Sequence, residues 1–173
     1  AAFRVNCVQC HGSGAAGSPG YPNLNDDEWL WGGGAEDIRQ TIAHGIRFDG
    51  DDETRFSEMP AFAGVLETAQ INQVVAHVLS LSGQPVNAEE AAAGVQLFAD
   101  NCAACHGEAG EGMAEMGAPD LTDAIWLYGS DPTEIATQIR GPRHGVMPAW
   151  AGRLGETTVK ELAVYVHSLG GGQ

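Results

Sequence analysis

Two short cysteine motifs restrict what this chain can fold into more than any other feature. The segments Cys7–His11 and Cys102–His106 both read C-x-x-C-H, the pattern that attaches c-type haem. Two thiols three positions apart on a helical turn can each add to one vinyl group of the porphyrin, and the next residue directs its imidazole at the iron. The predicted covalent attachment sites are Cys7, Cys10, Cys102 and Cys105, with His11 and His106 as the proximal iron ligands.

Other chemistry of paired cysteines fits the sequence less well. A four-cysteine zinc site usually separates its pairs by about 15–20 residues, far less than here. A thioredoxin-like motif requires a βαβ context, and no strand-like alternation surrounds either pair. Disulfides within each pair would leave His11 and His106 unexplained.

The chain is an internal repeat. The segment Pro22–Gly32 matches Pro119–Gly129 without gaps, and Met59–Gly64 matches Met147–Gly152. Each half therefore contains the haem motif, a proline loop, an aromatic W-L-aromatic-G segment, an M-P-A-aromatic loop and a final helix. The repeat predicts two domains, 1–84 and 85–173, joined by the Gly- and Pro-containing stretch 82–87.

Helical patterns dominate the rest of the sequence. Asn87 with Glu90 predicts a capped helix from Ala88 to about Asp100, and Asp131 with Pro132 predicts the start of another. Thr158 with Glu161 suggests the start of the last helix. No segment is typical of a strand, so the expected fold is all-α.

A methionine in each half is the predicted second axial ligand. Met59 and Met147 occupy equivalent repeat positions, both precede proline, and both lie on loops before a final helix. A thioether opposite histidine favours the reduced iron and raises its potential. Met113 and Met116 follow His106 closely and have no counterpart in the first half, so they are interpreted as loop or packing residues.

The remaining polar and aromatic candidates are assigned with open alternatives. His44, His77, His144 and His167 do not pair across the repeat and are expected to be surface or hydrogen-bonding residues. Aromatic side chains predicted at the haem edge, where core packing is the alternative, are Trp29, Trp31, Trp126 and Tyr128. Arg140 and Arg143 are candidates to pair with haem propionates in the second half, with a solvated loop as the alternative.

Charge and hydropathy exclude some functions. With 8 basic against 23 acidic side chains, the formal charge is −15, which argues against nucleic-acid binding and suits a partner with a basic face. No run of about 18 apolar residues is present to span a membrane. The acidic insertion Phe48–Arg55 is either a docking patch for a basic cytochrome or a solvated loop. Phe3 matches Phe98, so the first helix is expected to be truncated.

Several stretches resemble a known family. Gly20–Leu24, Trp29–Gly33, Asp120–Asp123, Ile125–Gly129 and His144–Trp150 are similar to the dihaem cytochrome c subunit, subunit III, of cbb3-type haem-copper oxidases. The resemblance covers essentially the whole chain. It implies two tandem class I cytochrome c domains, each around one covalent haem c.

The resemblance also implies a function. Both haems would have His/Met ligation, His11 with Met59 and His106 with Met147. The protein would relay electrons from donor cytochromes to the catalytic subunit of the oxidase without bond chemistry of its own. The expected location is the bacterial periplasm, with an upstream tether to the inner membrane. The alternatives are a free dihaem shuttle and a dihaem peroxidase, the latter requiring an open iron position.

Overall fold

The chain folds into helices connected by long loops. A computed structural model describes residues 1–170. In this part of the chain the α-helices are α1 Ala2–Asn6, α2 Val8–His11, α3 Ala35–His44, α4 Thr68–Leu81, α5 Ala88–Asn101, α6 Ala103–His106, α7 Pro132–Arg140 and α8 Ala151–His167. A 3-10 turn spans Ala114–Met116, and the only β pairing over residues 1–170 consists of isolated bridges. The all-α prediction is therefore confirmed.

Local capping signals in the sequence explain where the central helices start. The Asn87 side chain accepts hydrogen bonds from the backbone N–H groups of Glu89 and Glu90 at the start of α5. Asp131 caps α7 in a reciprocal box with Glu134, and Pro132 occupies the first turn. Both helices begin where the sequence predicts.

The last helix differs from the prediction. Helix α8 consists of two helical segments that meet at Gly155, so its long C-terminal segment starts just after Gly155, a few residues before Thr158. The helix is interrupted at Gly155, whose φ of 75° and ψ of 160° are not helical. Glycine adopts this conformation without a steric cost, so the chain bends there and continues as helix.

The structure divides the chain into two compact units that are not the two sequence halves. Unit 1 contains Ala1–Ser57 together with the segment from His144 to the C-terminal end of the described chain, and unit 2 is Glu58–Arg143. The predicted domains were 1–84 and 85–173. The two halves exchange their last helices. Helix α4, from the first half, lies in the unit with the second haem motif, and α8, from the second half, lies in the unit with the first haem motif.

Unit 1 is built around helices α3 and α8. These helices pack together, and α1 packs on α8, where the rings of Phe3 and Tyr165 lie 5.3 Å apart. The buried residues of this core are Phe3, Ala15, Ile38, Ile42, Ala43, Val159, Leu162, Ala163 and Val166. The three- and four-residue spacing of these apolar side chains on α3 and α8 explains why one face of each helix is buried.

Unit 2 repeats this plan with α4 in place of α8. Helix α4 packs along α5 and against α7. The buried residues of this core are Phe62, Ile71, Val74, Val75, Val78, Leu79, Phe98, Ile135, Ala136 and Ile139. Gly94 allows the close approach of α4 and α5, because a Cβ at this position would lie 2.1 Å from the carbonyl oxygen of Gln73.

The connection between α4 and α5 gives a physical reason for the exchange. The stretch 82–87, predicted as an interdomain linker, lies inside unit 2. A connection this short normally joins helices that fold back on each other. Helix α4 therefore packs on α5, which follows it directly, and the first unit is completed by α8.

Over residues 1–170 none of the helices is both long enough and apolar enough to cross a bilayer.

Candidate haem-binding sites

Each haem motif folds in the same way in its own unit. Cys7 ends α1, and the next four residues form α2, which ends at His11 and Gly12. In unit 2, Cys102 ends α5 and α6 follows up to His106 and Gly107. Gly12 and Gly107 have φ values of 78° and 81°, a region that favours glycine, and the chain leaves the helix there.

A proline carbonyl orients each motif histidine. The Nδ1 atom of His11 lies 3.0 Å from the carbonyl oxygen of Pro22, and that of His106 lies 3.2 Å from the carbonyl oxygen of Pro119. A ring that donates from Nδ1 presents an unprotonated Nε2 on its other side, as a metal-binding imidazole does. Burial lowers the pKa of His106, opposed by its hydrogen bond to Pro119, so the neutral ring is favoured.

Unit 1 contains a cavity beside its motif. The cavity opens to solvent on one side. Its apolar wall brings together Cys7, His11, Trp29, Trp31, Met147 and Trp150. The predicted haem-edge residues Trp29 and Trp31 thus lie at this site, together with a methionine.

That methionine is Met147 and not Met59. The pairing expected from the resemblance, His11 with Met59, differs from the structure, in which Met147 lines the cavity with His11. A backbone bridge holds Met147 in place: Ile46 N donates to the Met147 carbonyl at 2.9 Å, and Met147 N donates to the Ile46 carbonyl at 3.0 Å. Gly45 makes this approach possible, because a Cβ there would lie 2.2 Å from Met147 O.

Met59 belongs to the other unit. It packs against the core of unit 2, whose partly buried members include Cys102, Ala103, Leu121 and Trp126. Phe62, in the same M-P-A-aromatic loop, donates its backbone N–H to the carbonyl of Ile139 at the end of α7. The methionine loop of each half therefore lies in the unit that holds the other half's C-x-x-C-H motif, because it precedes the exchanged helix in sequence.

The cysteines show none of the features of a thiol redox or zinc site. No disulfide joins any of the four, and among residues 1–170 no group of three or more His, Cys, Asp or Glu side chains is arranged to hold a metal ion. Burial, and secondarily Cys105, raises the pKa of the Cys102 thiol to about 11, and burial raises that of Cys7. A reactive thiol needs a lowered pKa, so these sites are unsuited to thiolate chemistry.

An orphaned donor in unit 2 fits a haem propionate. Trp126 Nε1 is buried and has no hydrogen-bond partner in the described chain. A buried indole N–H without an acceptor is unfavourable, and a carboxylate would satisfy it. Together with the oriented histidine, the paired cysteines and the nearby methionine, this donor indicates that the residues of unit 2 fit a covalent haem.

Arginines stack on the aromatic segment in both units. The Arg143 guanidinium lies 4.5 Å from the ring centroid of Tyr128, and Arg143 also bonds to Gln138. In unit 1, Arg55 lies 5.8 Å from the ring centroid of Trp31 and donates to the Trp31 carbonyl and to Asp37. Arg140 ends α7, and its propionate contact stays a prediction, as does that of Arg143.

The site contains features that the sequence did not predict: Trp150 lines the cavity of unit 1, and Arg55 stacks on the cavity residue Trp31. Aligning the two methionines matches Arg55 with Arg143, and aligning the aromatic segments matches Trp31 with Tyr128. The equivalent stacking pairs therefore leave a signal in the sequence. The equivalence of Arg55 and Arg143 is hard to see in the sequence, because the acidic insertion around Arg55 has no counterpart in the second half.

Two of the histidines set aside in the sequence have other partners in the structure. His44 bonds to Asp51 and Glu53, and the His77 ring packs edge-on against Phe98. Met113 and Met116 flank the 3-10 turn. Their non-ligand assignment stays a prediction.

The fold and these two sites define a c-type cytochrome with two haem-binding domains. A family model described as cytochrome c oxidase, cbb3-type, subunit III matches residues 1–78 and again 89–166. The chain belongs to this family, and the resemblance found in the sequence is confirmed.

Relatives named as subunits of cbb3-type cytochrome c oxidases match nearly the whole length of this chain. It is 63% identical over 171 residues to the cbb3-type cytochrome c oxidase subunit FixPc of Rhizobium leguminosarum bv. viciae. It is 58% identical over 172 residues to the subunit FixP of Rhizobium meliloti and 58% identical over 175 residues to the subunit CcoP of Cereibacter sphaeroides. The matches cover 99%, 99% and 100% of this chain and 60% of each of these relatives.

Proposed function

We propose that this chain is an electron relay that holds two covalent haem c groups and passes electrons from donor cytochromes to the catalytic subunit of a cbb3-type oxidase. The observation that carries the proposal is the repeated arrangement of a C-x-x-C-H motif, a histidine oriented by a proline carbonyl, and a Met-Pro loop in each unit. Haem c, when bound, supplies an iron that alternates between ferrous and ferric states.

The ligand assignment follows the units rather than the halves. We infer that His11 and Met147 hold one iron and that His106 and Met59 hold the other. If each iron were held by a histidine and a methionine in this way, neither would offer a place for a substrate, and the chain would carry electrons without bond chemistry of its own. The apolar wall of the unit 1 cavity would limit the contact of a bound haem with water, and this burial would tune its potential.

The family supports the setting of this function. FixP and CcoP are named as subunits of cbb3-type oxidases, so we propose that other subunits of such a complex are partners. We propose a location in the bacterial periplasm, where c-type haem is attached. The inner-membrane tether implied by the resemblance stays a prediction, since the chain spans 60% of the length of these relatives.

Spectroscopy of the purified ferric protein tests the proposal. Pyridine haemochrome quantification should give two covalent haems per chain. Electron paramagnetic resonance should show both irons low-spin, and the absorption spectrum should contain the weak near-infrared sulfur-to-iron band of His/Met ligation. A high-spin signal from either iron would contradict the relay and favour a peroxidase-like enzyme, and a bis-histidine signal would contradict the methionine assignment.

A further inference from the structure

The segment that carries Met147 is bridged to Ile46, close in sequence to the acidic insertion Phe48–Arg55. Ile46 is bridged to Met147 on one side and to Arg55 on the other. The residues adjoining this pair of bridges are Phe56, which follows Arg55, and Val146, which precedes Met147. Val146 is therefore covalently adjacent to the inferred iron ligand of unit 1, and Phe56 lies on the far side of the Ile46 segment from it.

Phe56 and Val146 are two exposed apolar residues on the segments that flank Ile46 and Arg47. Their exposed fractions are 66% and 60%, high values for a phenylalanine and a valine. The Arg47 guanidinium joins their two segments, because its Nε donates to the Gly145 carbonyl and its Nη1 to the Ser57 carbonyl, both at 2.8 Å. We call this surface the Phe56–Val146 face.

Negative charge lies beside this face. Asp49, Asp52 and Glu53 are exposed in the turn that leads into Arg55 and Phe56. The nearby cations are engaged inward: Arg47 binds backbone carbonyls, and Arg55 pairs with Asp37 at 3.2 Å while lying over Trp31. The surface next to the apolar pair is therefore acidic.

The turn has a defined conformation. The His44 imidazole bonds Asp51 through Nδ1 at 3.1 Å and lies 3.1 Å from a Glu53 carboxylate oxygen through Nε2. Thr54 accepts a hydrogen bond from Phe48 N across the base of the turn. These bonds hold the exposed carboxylates at a fixed place relative to Phe56.

We infer that the Phe56–Val146 face is the docking surface for a small soluble cytochrome whose haem edge is surrounded by basic residues. An apolar centre beside a charged rim suits a short-lived redox complex, in which charge steers the encounter and a small contact allows fast release. A second copy of this chain is disfavoured by charge, since each copy carries −15. The inference rests on the proposed function.

The transfer at this face moves one electron. The ferrous iron of the donor is oxidised by one electron, and the ferric haem iron held by His11 and Met147 is reduced by one, with no proton or bond exchanged. Val146 is covalently adjacent to Met147, so a donor that contacts it lies close to the acceptor iron's ligand.

Two sets of substitutions test the face separately for its apolar and its charged part. The first is Phe56→Ser with Val146→Ser, and its matched control is Val5→Ser with Val164→Ser, at positions equally exposed in unit 1 (68% and 65%). The second is Asp49→Asn, Asp52→Asn and Glu53→Gln. Its matched control removes the same number of charges from exposed helix positions by Glu89→Gln, Glu90→Gln and Glu161→Gln.

Binding and electron transfer are measured on the haem-loaded protein with a basic mitochondrial cytochrome c as the probe. Calorimetry of the two ferric proteins gives the Kd without any turnover, and stopped-flow mixing with the ferrous probe gives the second-order rate. We expect the apolar variant to bind about tenfold more weakly, and the charge variant to react about tenfold more slowly at low salt. Both controls should stay within about twofold of the parent.

Three outcomes would overturn the inference. The first is an unchanged Kd and rate in both face variants. The second is an equal loss in the controls, which would mean that exposed apolar area or net charge alone matters, including pairing between copies. The third is a loss that accompanies a shifted midpoint potential or slower reduction by ascorbate, which would place the effect at the iron. Absence of covalent haem in the parent would instead contradict the proposed function.

Discussion

At the residue scale, the carbonyls of Pro22 and Pro119 determine which ring nitrogen each motif histidine presents. Pro22 and Pro119 lie in the loops that follow their haem motifs, and each loop places a carbonyl against the imidazole. The same atom pair occurs in both units, which indicates that the two proximal sides are chemically alike. Differences between the two sites therefore arise on the methionine side and at the haem edge.

The exchanged methionines give a prediction at this scale. A background with Cys7→Ala and Cys10→Ala should retain only the haem held by Cys102 and Cys105. In that background Met59→Leu should abolish the near-infrared sulfur-to-iron band and lower the midpoint potential, because the thioether that favours reduced iron is lost. Met147→Leu in the same background is the control, and it should leave the band intact. If only Met147→Leu abolished the band, the result would support the pairing of His106 with Met147 that the resemblance implies.

At the element scale, close packing of α4 on α5 depends on a missing side chain. Gly94 faces the Gln73 carbonyl and the His77 side chain, and Phe98, one turn later, packs on the His77 ring at 5.1 Å. Helices that approach this closely transmit any added volume to the backbone. The interface therefore tolerates little change at its centre.

Gly94→Ala should destabilise the protein by about 1–3 kcal/mol, because its Cβ would overlap a backbone oxygen that is fixed in α4. Gly152→Ala is the control, since no atom lies within 4 Å of a Cβ at that helical position. The control should be neutral or more stable by about 0.4–1 kcal/mol. Denaturant unfolding followed by circular dichroism measures both, and equal stability of the two variants would refute the close contact.

His77 gives this interface a dependence on pH. Burial lowers its pKa in the folded protein, so between the folded and unfolded pKa values the unfolded chain binds more protons. Stability should therefore fall as the pH decreases below the unfolded value of about 6.5. Comparing the denaturant midpoint at about pH 7.5 and about pH 5.5 in the parent and in His77→Phe measures this contribution. We expect a smaller decrease in the variant, and an equal decrease in both would refute the assignment.

The sequence predicts where these helices start, but it does not predict which helices pack together. Cap residues such as Asn87 and Asp131 act on backbone groups a few positions away, so their effect is readable from the sequence alone. The choice between α4 and α8 is different. Both helices present the same apolar spacing, with His77 and Tyr165 at equivalent repeat positions, so either could complete either core.

At the scale of the whole molecule, unit 2 is continuous in sequence and unit 1 is not. Glu58–Arg143 contains Met59, α4, α5, the second haem motif and α7, which together make one core and one site. Unit 1 is assembled from both ends of the chain. The two sequence repeats thus form two structural units, but the borders of the units lie within the repeats and not between them.

This arrangement predicts which fragment folds alone. A fragment of residues 58–143, expressed with the haem-attachment machinery, should bind one low-spin haem and show the sulfur-to-iron band. A fragment with the same boundaries and Met59→Leu is its control and should lose the band. If domain borders followed the repeats instead, residues 58–143 would lack a final helix for the second motif and would fail to fold, which circular dichroism would reveal.

The division of unit 1 between the two ends of the chain also has a consequence for biosynthesis. A ribosome produces Cys7–His11 before the second haem motif. Met147, which lines the same cavity as His11, is made much later, and the helix that follows it extends to His167. The second motif, by contrast, emerges after Met59 and α4 already exist. Of the two sites, the one whose haem motif is synthesised first is therefore the last to be completed, because Cys7–His11 waits for Met147 and α8 to be made.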